Sequence, residues 1–267
     1  MSLVRLGLLG LVVWLSLMGC ATPPPSPTAA ALPQRSPEAL LSPLERRWQS
    51  VNGLRAMARL SLTSPQGRYS TRQTFLWQRP SLLRLDAIGV LGQPAMTLVA
   101  DAQQAAVYYP QQGVFFQGPA TAANLARFTG LPLDAQDVAH LLTGYVRPVP
   151  QQSTGGIVVQ ADDGAYLVRF PGPGGRLLQD VWLDPDQGVP IRMVRYGEQT
   201  VPVVDVAYSD FRAVAEAFSF PFQVVIWLPR VETELRLQFL TVDLNPPLPH
   251  TVFELSPPEG VRIVPLG

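Results

Sequence analysis

The hydrophobic rhythm of the chain changes several times, and each change marks an element. From Ala39 to Val51 the apolar residues Ala39, Leu40, Leu41, Leu44, Trp48 and Val51 recur at helical spacing. Pro37-Glu38 stands in front of them, Ser36 is placed to cap, and Gly53 lies near the end, so the pattern predicts an amphipathic helix. Pro43 is expected to break or kink it, because proline lacks an N–H and its ring meets the carbonyl four residues back. From Leu54 the period becomes two. Leu54, Ala56, Ala58, Leu60 and Leu62 share one face of a strand, and residues 68–78 alternate in turn, with Tyr69, Thr71, Gln73, Phe75 and Trp77 on one side. Ser64-Pro65-Gln66-Gly67 between them predicts a hairpin turn.

Further strands are predicted at 81–87, 95–100, 105–109 and 113–117, with connections too short for parallel crossovers. Two short helices then interrupt. Thr121 can cap 122–129, which Gly130 ends, and Asp134 can cap 135–142, with Asp137 at its third position and Gly144 past its end. After the Pro/Gln/Ser/Gly stretch 149–156, strands resume at 157–162, 166–170, 176–183, 191–196, 203–208, 223–228, 234–242 and 252–255. Strands on both sides of one helical pair predict a mainly β, α+β domain over 37–267. It would be a single long antiparallel sheet, strongly curled, with the helices against it. Its apolar concave face would be either a packed core or a cavity, and helices placed as a lid favour a cavity.

The first 36 residues read differently. Arg5 precedes an almost unbroken apolar run from Leu6 to Leu17, short for a membrane-spanning helix and of the length of a signal-peptide core. Leu17-Met18-Gly19-Cys20 ends it and resembles the lipobox of bacterial lipoprotein precursors. That resemblance implies cleavage of residues 1–19, lipid on Cys20 and a membrane anchor. At least two acyl chains are needed for stable anchoring. Ala21 beside the cysteine resembles an outer-membrane address, with the protein facing the periplasm. Residues 20–36 (CATPPPSPTAAALPQRS) form the lipidated end and a Pro-rich tether, expected to stay extended and solvated.

Composition narrows the chemistry. The chain has 267 residues, 47% of them hydrophobic and 15% charged, and its formal net charge is zero, so nothing points to nucleic acid. All 20 basic residues are arginine. Cys20 is the single cysteine, which excludes an internal disulfide and a cysteine metal site. His140 and His250 are far apart in sequence and in different contexts. Asp162-Asp163 and Asp184/Asp186 are turn carboxylates, and Pro171-Gly-Pro-Gly-Gly175 precedes a strand, so it has no helix N-terminus to hold phosphate. No catalytic residue, metal site or cofactor is assigned, and no enzymatic activity is expected.

One loop departs from the rule that turns are polar. Ile88-Gly89-Val90-Leu91-Gly92-Gln93 places an apolar tip between glycines. From the residues alone, Val90 or Leu91 is expected to tuck back into the core. Around it, Leu83-Arg-Leu-Asp-Ala-Ile-Gly-Val-Leu-Gly-Gln93, then Phe128-Thr-Gly-Leu-Pro-Leu133 leading to Leu141-Leu-Thr-Gly144, resembles the LolB-type outer-membrane receptors of the LolA/LolB lipoprotein-carrier superfamily. The resemblance covers about 54–144. The ending Asn245-Pro-Pro-Leu-Pro…Phe253-Glu-Leu-Ser-Pro-Pro-Glu-Gly-Val261 is closer to the LolA-type carriers.

The resemblance implies a half-open antiparallel β-barrel with a helical lid over an apolar cavity. It implies an outer-membrane lipoprotein that receives acylated lipoproteins from a LolA-type periplasmic carrier and inserts them, with Val90 and Leu91 as the membrane-insertion loop. Leu60, Phe75, Trp77, Leu85, Leu98 and Phe116 are the candidates for lining the cavity. The alternative is a non-catalytic envelope lipoprotein of the same fold, acting as a lipid or lipoprotein sensor or as an assembly factor that binds a protein partner.

Overall fold

The first hairpin forms where alternation places it. β1 (Gly53–Ser64) pairs in register with β2 (Gly67–Gln78) over their whole length, Leu54 opposite Trp77 and Leu62 opposite Tyr69, with the tight turn at Pro65-Gln66. Residues 32–89, 92–131, 133–145, 156–215 and 218–267 are described in a computed structural model of the chain. The hairpin continues through β3 (Leu82–Ile88), β4 (Pro94–Ala100), β5 (Gln104–Tyr109) and β6 (Val114–Pro119). After the helices come β7 (Val158–Asp162), β8 (Ala165–Pro171), β9 (Leu177–Leu183), β10 (Pro190–Tyr196), β11 (Pro202–Ala215), β12 (Phe218–Leu228), β13 (Thr233–Leu244) and β14 (Arg262–Pro265). All belong to one 14-stranded sheet in the order β14-β6-β5-β4-β3-β2-β1-β13-β12-β11-β10-β9-β8-β7. The two halves of the chain meet where β1 pairs with β13.

Laid flat, 14 strands would span about 60 Å at ~4.8 Å per strand. The three helices described are too short to cover that width: α1 (Pro37–Gln49), α2 (Ala122–Thr129) and α3 (Ala135–Thr143). Yet one hydrophobic cluster joins Val107 on β5, Leu83 on β3, Phe220 on β12 and Phe170 on β8 to Leu44, Leu125 and Leu141 of the three helices. The sheet therefore curls around the helices without closing: β14 and β7 are its two ends. The segment Leu32–Gly267 forms one compact unit with this core.

The helices start and stop as their caps dictate. The Ser36 side chain accepts from Ala39 N–H, Thr121 from Asn124 N–H and Asp134 from Asp137 N–H. Gly130 and Gly144 end α2 and α3 in left-handed backbone (φ 73° and 66°), where a Cβ would be strained.

Four expectations need correction. α1 runs through Pro43 unbroken; Leu40, Leu44 and Trp48 bury one face at spacings of four, and that packing offsets proline's cost of about 3 kcal/mol. Residues 252–255 are not a strand. His250–Phe253 is a 3₁₀ turn, because Pro246, Pro247 and Pro249 before it and Pro257-Pro258 after it leave too few N–H donors for a ladder. The sheet is not wholly antiparallel, since β14 lies parallel to β6. Part of the expected solvated tether makes contacts ahead of Pro37: Leu32 packs against the core, Tyr166 donates to the Pro33 carbonyl (2.9 Å), and Arg35 lies 5.3 Å from the Tyr166 ring centre.

Candidate functional site

Strand register builds the concave face. Ala56, Phe75, Leu85, Leu98, Val107 and Phe116 stand directly opposite one another across β1 to β6, forming one unbroken apolar row. A matching row, Val168, Val181, Met193, Val206, Ile226, Leu235 and Leu62, crosses β8 to β13 and returns to β1. All six candidate lining residues fall on this face. Phe75, Trp77, Leu85 and Leu98 are buried, and Leu60 and Phe116 are half-buried against the core.

The helices seat directly on these rows. Trp48 of α1 is stacked between Trp77 (5.1 Å) and Tyr145 (4.6 Å), with the His140 ring edge-on at 4.5 Å. Phe128 of α2 meets Phe116 at 5.3 Å. Offset and edge-to-face pairs at these spacings are the favourable geometries for aromatic rings.

A few polar ties fix this roof. Arg79 donates to the carbonyls of Trp48 and Val51 (2.6 Å each) and lies over the Trp48 ring, tying the end of α1 to the end of β2. Tyr145 donates to Glu45, joining α1 to the segment after α3. Arg47 lies 4.1 Å from the centre of the Phe218 ring, and burial lowers its guanidinium to about 10.

Across the hollow, Arg195 of β10 donates to both oxygens of Asp137 on α3 at 3.0 and 3.2 Å, and His140 Nδ1 stands 3.9 Å from the same carboxylate. Burial works to raise the Asp137 carboxyl, but the hydrogen bonds and charges of His140 and Arg195 outweigh it and hold it well below the usual carboxylate range. Beside Arg195, Gln179 is fully buried; its Oε1 faces Arg195 Nε at 3.4 Å, and its Nε2 has no partner among the described residues. The Tyr208 hydroxyl is also buried without a partner among the described residues, and burial pushes it well above the ordinary phenol range.

Among the described residues, two voids under the helices are small. One void beneath Leu44, Trp48 and Phe218 and another between Asp137, Met193, Arg195 and Val204 are each about 10 Å³. Such a space holds a single water at most and no acyl chain. Among the described residues no group of His, Cys, Asp and Glu is placed to hold a metal, and no helix is long and apolar enough to cross a membrane.

Cys20, Val90 and Leu91 lie outside the described residues. The base of the Val90-Leu91 loop is described: Gly89 N–H donates to the Gln93 carbonyl (2.8 Å) and Gly92 N–H to the Gly89 carbonyl (3.0 Å). The tie between Arg195 and Asp137 is absent from the sequence reading, though a signal for it exists. Arg195 falls on the same alternating face as Met193, so a charge interrupts an otherwise apolar face.

No protein-family model and no curated protein sequence matches the chain. Solved structures do. A LolA superfamily protein from Nitrosomonas europaea superposes with a TM-score of 0.56 at 10% identity, over 83% of this chain and 99% of that one. A DUF1329 family protein from Desulfovibrio piger gives 0.55 at 13% identity, over 81% and 96%. An outer membrane lipoprotein-sorting protein domain from Vibrio parahaemolyticus gives 0.54 at 12% identity, over 80% and 94%. Rows, roof and open edges together make this the LolA-type fold, a half-open barrel of one curled, almost wholly antiparallel sheet under a helical lid.

Proposed function

We propose that the chain is a lipid-anchored envelope protein that takes acyl chains of lipoproteins under its helices and helps insert them into the outer membrane. The observation that carries this reading is the apolar floor that runs from β6 to β8, interrupted on β10 by Arg195, beneath three short helices held by few polar ties. Each CH₂ removed from water contributes ~0.8 kcal/mol, so an acyl chain of about 16 carbons offers on the order of 10 kcal/mol. Four or five roof side chains lifted off the floor lose a similar sum at ~1.5–3 kcal/mol each. The exchange is near balance, which suits a protein that must both take and release its cargo. In this reading Cys20 carries the anchor, Leu60, Phe75, Trp77, Leu85, Leu98 and Phe116 touch the chains, and Val90 and Leu91 dip into the membrane. The donor is a LolA-type carrier, and no catalytic step is involved.

The two small voids under the described helices favour a second reading, an envelope lipoprotein of this fold that binds a protein partner and senses lipid only when the roof opens. A photoreactive phenylalanine analogue at Phe116 separates the two. Acyl uptake predicts crosslinks to triacylated cargo and none to the same protein without acyl chains. Crosslinking that ignores acylation, or its absence, removes the acyl reading.

A further inference from the structure

The polar floor beside β10 is unexplained by an apolar ligand alone. Arg195 is set among Met193, Val204 and Leu133, its side chain 27% exposed, and its described carboxylate partner, Asp137, sits on α3 and not on the sheet. When α3 lifts to admit a chain, Asp137 leaves with it and Arg195 stays on the floor. Arg195 then faces a mostly apolar lining, with His140 and Tyr145 at its rim, without the carboxylate that now takes two of its N–H groups. Gln179 adds a second unsatisfied demand. Its amide oxygen turns towards Arg195, while its Nε2, on a residue with no exposed surface, has no acceptor among the described residues. A buried donor without an acceptor costs free energy unless a ligand or water supplies one.

We infer that Arg195 and Gln179 form a subsite for an oxyanion carried on an acyl chain, a carboxylate or phosphate that takes the place of the Asp137 carboxylate when the roof opens. The inference rests on the acyl-binding reading above and extends it to a class of ligand. The row Val181, Met193, Val206 and Ile226 runs beside the subsite and would take the chain. The planar guanidinium offers two parallel N–H donors to an oxyanion, as it now does to Asp137. A neutral ester or amide head would leave Arg195 without a counter-charge. The acid and its ester are therefore discriminated, although their chains bury alike.

The test uses the compact unit Leu32–Gly267 and calorimetric titration with dodecanoate, dodecyl phosphate and methyl dodecanoate. The expected result is that at least one of the two anionic amphiphiles binds ten-fold or more tighter than the ester. The better of the two identifies the head as carboxylate or phosphate. Arg195→Met should bring acid and ester to equal affinity. Should that variant fold poorly, the ratio on the unaltered protein already decides, and Gln179→Leu should reduce it several-fold. Equal binding of acids and ester by the unaltered protein overturns the subsite while leaving the acyl hollow intact. Binding of none of the three removes both. Displacement of the amphiphile by millimolar inorganic phosphate or acetate alone assigns the subsite to a soluble anion and overturns the lipid assignment.

Discussion

Arg195 reaches from the sheet to the roof and grips Asp137, the third residue of α3, by two hydrogen bonds at 3.0 and 3.2 Å. The pair is half-buried, between the weak surface case and the strong interior one, so it should hold α3 down by about 1–3 kcal/mol. Because the folded protein holds the Asp137 carboxyl below its ordinary 3.8, its contribution is complete above that pH and is lost as pH falls through the folded value. Protection of α3 amides, measured as exchange relative to the intrinsic rate at each pH, should therefore be high at pH 7 and fall below pH ~4. Asp137→Asn should exchange fast at pH 7 and show a weaker acid response than the parent. Equal protection of α3 in parent and variant would show that the pair does not hold the roof.

Trp48 is the keystone of the roof, stacked between Trp77 and Tyr145 and buried. Trp48→Ala should cost about 3–5 kcal/mol, a fall in Tm of roughly 6–20 °C for a domain of this size. Thermal melting followed by circular dichroism checks this, and a change under 2 °C would mean that the roof barely contributes to stability.

Gly118 lets the chain close on itself. A Cβ there would overlap the Leu266 carbonyl and stand 2.8 Å from the Leu266 Cβ, where Leu266 N–H donates to the Gln117 carbonyl (2.8 Å). Gly118→Ala should detach β14 from β6 and expose Phe115, at a cost of about 1–3 kcal/mol. Proteolysis near the C-terminus should rise in the variant; unchanged cleavage would mean the strand tolerates the shift.

Leu91→Glu tests the apolar loop. Burying one leucine contributes ~1.5–3 kcal/mol, enough to dock the loop transiently. The variant should capture cargo normally and deliver it at least several-fold more slowly to liposomes. Normal delivery would remove Leu91 from the mechanism.

The sequence makes the hairpins and caps legible because both rest on local chemistry. Pro65-Gln66-Gly67 turns, Thr121 and Asp134 cap, and Gly130 and Gly144 stop, whatever the distant chain does. What it hides is decided by partners far away. β14 has four residues and pairs with β6, about 150 positions earlier, so no period announces it. Pro43 survives within α1 because of burial that a local rule does not see. The candidate lining residues share one face because alternation fixes the face once register is known, but alternation alone does not reveal that the helices seat on it. Nor does it reveal that Arg195 finds Asp137, 58 positions away.

Uptake of acyl chains from a carrier is the step on which the proposed function stands. The most direct measurement mixes Leu32–Gly267 with a LolA-type carrier from the same organism, loaded with acylated lipoprotein, and follows which protein holds the cargo. The account predicts transfer that requires the acyl chains and that fails when they are removed. Cargo remaining on the carrier, with the protein folded and in excess, would contradict it.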